Sequence, residues 1–242
     1  MNYWKLIKQD WPLLSFGFLF LIVSCGKKET GVIPRKFNTI EIQSVLEDLL
    51  LSIRAIDILY DNNLALAAND NSFGLYNIND KSWNISKQSY DSLNFSFRSV
   101  AHTSNDFFML SIANPTLLFK TTNSGMQLVY KEEHEKAFYD SIDFWNDQEG
   151  IAIGDPTEDC MSIIITRDAG NTWTKLSCDV LPKTKDGEAA FAASDTNIAI
   201  VGDHTWVATG GNASRVLYSS DRGDIWEIYS TPIKQGIGTT GM

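Results

Sequence analysis

Acidic side chains at predicted turns are the residues of this 242-residue sequence that could do chemistry. Asp155, Glu188 and Asp203 are the candidate catalytic residues, because glycoside hydrolysis needs two carboxyl groups about 5–10 Å apart. The alternative is that Asp and Asn residues here only make turns. Polar residues at equivalent turns form a predicted ligand rim, which comprises Asn69, Asp70, Asn114, Asp155, Glu158, Asp159, Asp203 and His204.

A calcium site is the second chemistry to consider, since Asp155, Glu158 and Asp159 carry the hard oxygen ligands that calcium prefers. Their loop lacks the ligand spacing of an EF-hand. The three histidines show no spacing typical of metal ligands. We therefore predict no metal and no cofactor.

The charge of the chain bears on its partners. The formal net charge is −10, and the six arginines are scattered along the sequence. Binding of nucleic-acid phosphates needs clustered Lys and Arg side chains. We therefore predict no nucleic-acid partner.

The clearest structural motif of the sequence is a turn at residues 166–173. It has the form Ser/Thr-x-Asp-x-Gly-x-Thr-Trp and lies between two apolar runs. The Asp168 carboxylate can accept backbone N–H groups of its own turn, and Gly170 tolerates the positive φ that the turn demands. Thr172 can tie the far side of the loop, and Trp173 can bury its ring beneath it. The motif predicts a strand-to-strand turn.

Four copies of a four-strand pattern surround this motif, at about residues 50–86, 95–131, 137–178 and 188–230. A period of about 40 to 50 residues indicates a propeller or another array. In the fourth copy, residues 189–191 are predicted as the first strand, 198–203 as the second and 215–218 as the third. The motif recurs at residues 219–226 and, in degenerate form, at 121–128 and before Trp83.

The turn motif resembles the Asp-box of the BNR, or sialidase-type, repeat, which joins the third and fourth strands of a β-propeller blade. Residues 138–145, 150–156, 166–173 and 187–191 are similar to bacterial lipoproteins related to photosystem II stability and assembly factors, which are often labelled oxidoreductase-like. The resemblance implies an all-β fold, a β-propeller of four-stranded antiparallel blades. About four blades are expected, truncated from a six- or seven-bladed ring, with a closed four-bladed ring as the alternative.

In such a propeller the Asp-boxes lie on the face opposite the ligand rim, so the box residues are expected to be structural. They are Asn123, Gly125, Asp168, Gly170, Thr172, Trp173, Asp221, Gly223 and Trp226. Sialidases also need three arginines around the substrate carboxylate. Arg167 and Arg222 lie inside the boxes, so we do not expect sialidase activity.

The segment before the first copy supports two interpretations. Residues 39–43 alternate polar and apolar side chains, as a half-buried strand does, and such a strand could complete the last blade. From Ile42 to Leu50 the apolar residues instead recur at helical spacing. We favour the strand and keep the helix as the alternative.

The N-terminal residues resemble a bacterial lipoprotein signal. An apolar run at residues 13–23 is too short to cross a bilayer comfortably, and it ends at Ser24-Cys25 in the manner of a lipobox. We expect residues 1–24 to be a signal peptide, 25–37 a polar tether and 38–242 the propeller, with a lipid on Cys25. The alternative is an uncleaved anchor.

Cys160 and Cys178 lie at equal distances from the centre of the 166–173 turn, in the register that pairs Ile165 with Trp173 and Thr166 with Thr172. An exported protein resides where disulfides persist. We expect a cross-strand disulfide, and a redox-active or metal-binding pair is the alternative.

Three functions fit this sequence. The first is a non-enzymatic cell-envelope lipoprotein, on the outer membrane and facing the periplasm or the exterior, that binds a protein or glycan partner as a scaffold. The second is a glycoside hydrolase-like or oxidoreductase-like enzyme that uses the rim. The third is a truncated, inactive fragment.

Overall fold

The structure, a computed structural model, describes residues 36–48, 50–59, 63–190 and 195–233, and its main elements are four antiparallel sheets of four strands each. Blade 1 contains β1 (Ile53–Ile58), β2 (Leu64–Ala68), β3 (Ser72–Asn77) and β4 (Ser82–Lys87). Blade 2 contains β5 (Phe97–His102), β6 (Phe107–Ser111), β7 (Thr116–Thr122) and β8 (Gly125–Glu132). Blade 3 contains β9 (Tyr139–Phe144), β10 (Gly150–Gly154), β11 (Ser162–Thr166) and β12 (Thr174–Lys175).

Blade 4 follows a small additional sheet. In that sheet β13 (Glu188–Ala189) pairs with β16 (Gly210–Gly211). The blade itself contains β14 (Ile198–Val201), β15 (His204–Ala208), β17 (Arg215–Ser219) and β18 (Glu227–Ser230). No helix occurs among the described residues, and none of them forms a helix that could cross a membrane. The predicted all-β fold with four-stranded antiparallel blades is confirmed.

The strand order of blade 4 differs from the sequence prediction. Ile198–Val201 is the first strand of the blade and not the second, and β15 is the second. Residues 188–189 belong to the small sheet, and Phe191 lies outside the described residues. The prediction was wrong because β15 contains Trp206 and two polar residues, so it lacked the apolar run that marked the second strand elsewhere.

Residues 1–43 and 44–242 form two separate units. Of the first, residues 36–43 are described, and they contain neither strand nor helix. The predicted strand at 39–43 is therefore wrong, because five alternating residues do not define a strand without a sheet to join. The alternative helix is also absent from the described residues up to 50. The predicted signal peptide and Cys25 lie outside the described residues.

Three interblade cores hold neighbouring blades together. The central strands have apolar residues on both faces, as in Ile163–Ile164–Ile165, because each face packs on a different blade. The core between blades 1 and 2 includes Ala55, Ala65, Ala67, Phe97, Met109 and Phe119. The core between blades 2 and 3 includes Phe108, Leu110, Leu118, Ile142, Ala152 and Trp173. The core between blades 3 and 4 includes Ile151, Ile153, Ile163, Val207, Leu217 and Trp226.

The turn at residues 166–173 packs blade 3 against blade 2. The Asp168 carboxylate accepts hydrogen bonds from Thr166 Oγ1 (2.9 Å), Thr172 N (2.9 Å) and Thr172 Oγ1 (2.7 Å). Gly170 has φ +73°, and a Cβ there would meet the ring of Phe108. The buried Trp173 ring lies 5.8 Å from Phe144, edge to face. This turn is structural.

Residues 219–226 repeat that geometry in blade 4. Asp221 Oδ1 accepts from Ser219 Oγ (2.8 Å) and Ile225 N (2.9 Å), and Trp226 Nε1 donates to Gly223 O (2.9 Å). Blade 2 differs, because Thr122 pairs directly with Gly125 and only two residues separate the strands. Asn123 therefore does not take the place of Asp168, and the prediction of a box at Asn123 and Gly125 is wrong. A two-residue hairpin has no loop that a carboxylate could stabilise by hydrogen bonds.

Cys160 and Cys178 form a disulfide with a Cα–Cα distance of 5.4 Å. The strand register beside it is Ile165 opposite Thr174, one residue away from the predicted pairing of Ile165 with Trp173. The disulfide tolerates this difference because β12 ends at Lys175, so Cys178 lies beyond the paired residues.

Candidate binding site on the inner strands

The first strand of each blade lies innermost in the array. These inner strands, β1, β5, β9 and β14, together line a cavity of about 270 Å³, here called the axial cavity. Its titratable side chains come from three blades and from the segment that leads into the fourth: Asp57, His102, Asp143 and Asp195. The site is therefore built by the repeat architecture.

A β-bulge occurs at the same place in three of the inner strands. Arg54, Arg98 and Asp140 are the extra residues, because the strand pairing skips each of them. A bulge re-aims a side chain and is common beside functional sites. The three residues lie at the starts of β1, β5 and β9, so they belong to the same end of neighbouring blades.

Arg54 and Arg98 have no ion-pair partner among the described residues. Arg54 is exposed, and Arg98 is partly buried with an Nε that has no hydrogen-bond partner in the described part of the chain. Burial lowers the pKa of Arg98, and the neighbouring positive charge of Arg54 lowers it further. The other three described arginines, Arg167, Arg215 and Arg222, all form ion pairs. Within the described part of the chain, the two bulge arginines are thus a cationic pair without an ion-pair partner.

Asp140 is fully buried, and both of its carboxylate oxygens lack a hydrogen-bond partner within the described residues. Burial raises its pKa to about 9, and the charge of Asp155 adds to the rise while Arg98 opposes it. Asp155 accepts a hydrogen bond from Ala190 N (2.7 Å), and burial raises its pKa as well. Asp140 is therefore mostly neutral at pH 7 and leaves the two arginines uncompensated.

The axial cavity has a different character. Asp57 Oδ2 lies 2.6 Å from His102 Nδ1, and Asp195 accepts hydrogen bonds from Ser99 Oγ and from Val100 N (3.3 Å). Burial raises the pKa of Asp195 to about 8, with further increases from Asp57 and Asp143. The inner strands thus carry cations at one end and a carboxylate cluster further along.

The predicted rim residues mostly serve the structure. The amide of Asn69 accepts from Ser52 N (2.6 Å), Asp70 pairs with Lys87, and Asp159 pairs with Lys183 (2.7 Å). Asn114 precedes a cis proline, and Glu158 is exposed. The described residues contain no group of three His, Cys, Asp or Glu side chains that could hold a metal ion. The calcium alternative at Asp155, Glu158 and Asp159 has no support from this geometry.

Two of the three catalytic candidates are engaged elsewhere. Glu188 is buried and forms an ion pair with Arg215. Asp203 and His204 do not belong to the rim, because they lie at the turn between β14 and β15, on the same side as the Trp226 turn. Asp203 there accepts a hydrogen bond from Arg222 Nε (2.8 Å). The placement of Asp203 and His204 on the rim was wrong, since it followed from the shifted strand order in blade 4.

Comparison with known proteins supports the fold. The sequence matches no family model, and no curated protein matches it. The chain is similar to the structure of U3-55K, with a TM-score of 0.55 and 14% identity over 79% of this chain and 55% of that one. It is also similar to the WD40 repeats of RRP9, with a TM-score of 0.52 and 14% identity over 76% of this chain and 53% of that one. The chain spans about half the length of these two structures.

A third similar structure is YCF48 bound to D1 peptide, with a TM-score of 0.44 and 12% identity over 74% of this chain and 81% of that one. WD40 repeats build β-propellers from four-stranded blades. Four such blades lie side by side in this chain, so its fold is that of a β-propeller. Identities of 12–14% show the fold and no more.

The residues of the inner strands were not among the functional residues predicted from the sequence. Arg54, Arg98 and Asp140 each follow the first residue of an apolar strand, so the alignment of the copies already places them in one column. That column was the signal that could have found them. A polar residue at the start of an otherwise apolar strand was read as part of the strand boundary instead.

Proposed function

We propose that this protein is a non-enzymatic binding scaffold whose inner-strand end binds an acidic segment of a protein partner. One observation carries the proposal: Arg54 and Arg98 lie at equivalent bulges of adjacent blades and have no ion-pair partner among the described residues. Two guanidinium groups can hold carboxylates with charge-assisted hydrogen bonds, which are stronger than neutral ones. The neutral Asp140 beside them removes the charge that would otherwise compensate them.

An enzymatic role on the rim receives less support from this geometry. A glycosidase needs two carboxyl groups that face one substrate. Of the candidates, Glu188 is occupied by Arg215, and Asp203 lies at the other side of the blades from Asp155. A binding role needs no such pair.

The test uses short fluorescent peptides that carry adjacent glutamates, together with glutamine peptides of otherwise identical sequence. We expect the glutamate peptides to bind more tightly, and Arg54→Gln and Arg98→Gln each to weaken binding at least about tenfold, because a hydrogen bond to a charged group contributes about 1.5–3 kcal/mol. Lys81→Gln is the matched control, since Lys81 is exposed at the β3–β4 turn on the opposite side of blade 1. Equal binding of the two peptide sets would exclude the proposal.

We further propose that the scaffold belongs to the bacterial cell envelope and is anchored there by a lipid on Cys25. In this proposal the BNR-type turns hold the third and fourth strands of a blade together. The apolar run before Cys25 and the disulfide between Cys160 and Cys178 support this location. A fatty acid analogue supplied to expressing cells should label the protein. Cys25→Ser should abolish the labelling, and Cys160→Ser, which leaves Cys25 in place, should not; label retained by Cys25→Ser would refute the anchor.

A further inference from the structure

A buried carboxyl group lies at the same end of the inner strands as the two bulge arginines. Blade 2 packs on blade 1 through one core and on blade 3 through another, so its inner strand β5 lies between β1 and β9. The bulges of these strands occupy equivalent places, with Arg54 in blade 1, Arg98 in blade 2 and Asp140 in blade 3. Arg98 therefore has an arginine on one side and a carboxyl group on the other, and both act on its charge.

Asp140 and Arg98 both carry buried polar atoms that lack a partner. Neither carboxylate oxygen of Asp140 has a hydrogen-bond partner among the described residues, and the same holds for Nε of Arg98. Nearly every buried polar group in a folded protein is hydrogen-bonded, so each exception needs a specific explanation. The two side chains lie at matching bulges of adjacent strands, yet the ion pairs of the described residues do not include them.

The charges that act on Asp140 come from two neighbouring elements. Arg98 on β5 favours the ionised carboxylate, and Asp155, which follows β10, opposes it. Further along the inner strands, Asp143 on the same strand acts on Asp195 in the segment before β14. Neither of these two carboxyl groups is among the charges that shift the pKa of Asp140. Arg98 is therefore the cation towards which an ionised Asp140 is drawn.

Ionisation of Asp140 changes what Arg98 can do. A buried carboxylate without a partner is costly, and a cation that pairs with it reduces this cost. The Arg98 side chain is only partly buried, and its long stem lets the guanidinium group take more than one direction. One direction leaves the group beside that of Arg54, and the other brings it to Asp140. A guanidinium group that is paired with Asp140 no longer binds a carboxylate from outside.

We propose that Asp140 is an internal counter-ion for Arg98, which withdraws this guanidinium group from acidic ligands when Asp140 loses its proton. This regulation rests on the proposed function, because it acts on binding at the two bulge arginines. While Asp140 keeps its proton, Arg54 and Arg98 both bind the carboxylates of the partner. Once Asp140 is ionised, its own carboxylate competes with those of the partner. Since burial raises the pKa of Asp140 to about 9, the site is open at neutral pH and closes in the alkaline range.

The first test measures the affinity of a fluorescent peptide with adjacent glutamates between pH 7 and pH 10. Binding at pH 10 should be about tenfold weaker than at pH 7, because only about a tenth of the protein then has a neutral Asp140. Asp140→Asn cannot ionise, so its affinity should change by less than about twofold. Asp186→Asn is the matched control, since it removes the same charge at an exposed position and should keep the tenfold loss. Circular dichroism at each pH establishes that the chains are folded.

The second test needs no ligand. Phenylglyoxal modifies accessible guanidinium groups, and mass spectrometry of peptides gives the rates at Arg98 and Arg54 in the same sample. The ratio of the Arg98 rate to the Arg54 rate should fall at least about threefold between pH 7 and pH 10, because ionised Asp140 then holds Arg98. The ratio cancels the general effect of pH on the reagent. Asp140→Asn should abolish the fall, and Asp186→Asn should not.

The two tests separate this regulation from the proposed function. If peptide affinity depended on pH equally in the unsubstituted chain and in Asp140→Asn, the regulation would be overturned while the proposed function stood. Glutamate peptides that fail to bind at pH 7 would overturn the proposed function, and the rate ratio would then decide by itself whether Asp140 pairs with Arg98. A ratio that is the same in the unsubstituted chain and in Asp140→Asn at every pH would overturn that pairing.

Discussion

Replacement of Arg215 by methionine is expected to destabilise the folded protein by about 3–5 kcal/mol, because it leaves the Glu188 carboxylate buried without its partner. The Glu188 side chain is completely inaccessible to solvent, and that of Arg215 is 10% exposed. Arg215 Nε donates to Glu188 Oε1 (2.9 Å), Nη2 donates to Oε2, and Nη2 also donates to the Lys183 carbonyl (2.8 Å). Thr209 Oγ1 and Lys185 N complete the partners of the carboxylate.

The pH dependence of the Arg215→Met effect identifies its cause. Burial alone would raise the pKa of Glu188, but the hydrogen bonds from Arg215 and Thr209 outweigh it and hold the pKa below its usual value. A depressed folded-state pKa contributes stability that is present above the unfolded pKa, about 4.3, and is lost as the pH falls through the folded value. The cost of the substitution should therefore be largest near pH 7 and should shrink towards pH 3.

Urea denaturation at several pH values measures this effect. Arg215→Met combined with Glu188→Met should recover much of the loss, because a buried ion pair can be replaced by apolar side chains more cheaply than it can be broken. Lys183→Met is the matched control, since Lys183 and Asp159 form an exposed ion pair and such pairs contribute only about 0–1 kcal/mol. A loss below about 1 kcal/mol for Arg215→Met at pH 7 would mean that water reaches Glu188.

The repeat was predictable from the sequence because each blade is specified by local signals. Apolar strands of five or six residues, separated by turns, defined three of the four blades within a few residues of their observed limits. The turn at Asp168 was predictable because its carboxylate bonds only to its own loop. Such signals do not depend on the rest of the chain.

The failures have a common physical origin in contacts between distant parts of the sequence. In blade 4 the residues around Glu188 are fixed by Arg215 and by pairing with Gly210–Gly211, so their apolar pattern did not mark a blade strand. The sequence of the hairpin at Thr122 is similar to the turn motif, but its loop has only two residues. Neither pairing can be read from a window of neighbouring residues.

The site was less predictable than the fold, since its properties arise only when blades are side by side. Arg54 and Arg98 are 44 positions apart in sequence, yet the charge of one lowers the pKa of the other. A scattered distribution of arginines along the chain therefore did not imply a scattered distribution in space. Their shared bulge position was the local clue, and the lack of carboxylate partners could be known only from the structure.

Substitution of Asp140 is expected to have the second large effect on folding stability. It should stabilise the protein, whereas Arg215→Met should destabilise it. The carboxyl group is fully buried without a hydrogen-bond partner in the described residues, and burial raises its folded-state pKa to about 9. Between the unfolded pKa, about 3.9, and this folded value the native state binds the extra proton, so the stability of the protein falls as the pH rises. Ionised Asp140 destabilises the fold.

Asp140→Asn should therefore stabilise the protein by about 5–6 kcal/mol at pH 8, since pH 8 lies about four units above the unfolded pKa and each unit of pKa shift corresponds to about 1.4 kcal/mol, and should change little at pH 4. Asparagine has the same shape and cannot ionise, so the variant should lack this part of the pH dependence. Asp186→Asn is the control, because Asp186 is exposed and removes the same formal charge. Thermal unfolding from pH 4 to pH 9 measures both. If Asp140→Asn were less stable than the unsubstituted protein at pH 8, the carboxylate would be ionised and held by Arg98, and the end of the inner strands would then be compensated rather than cationic.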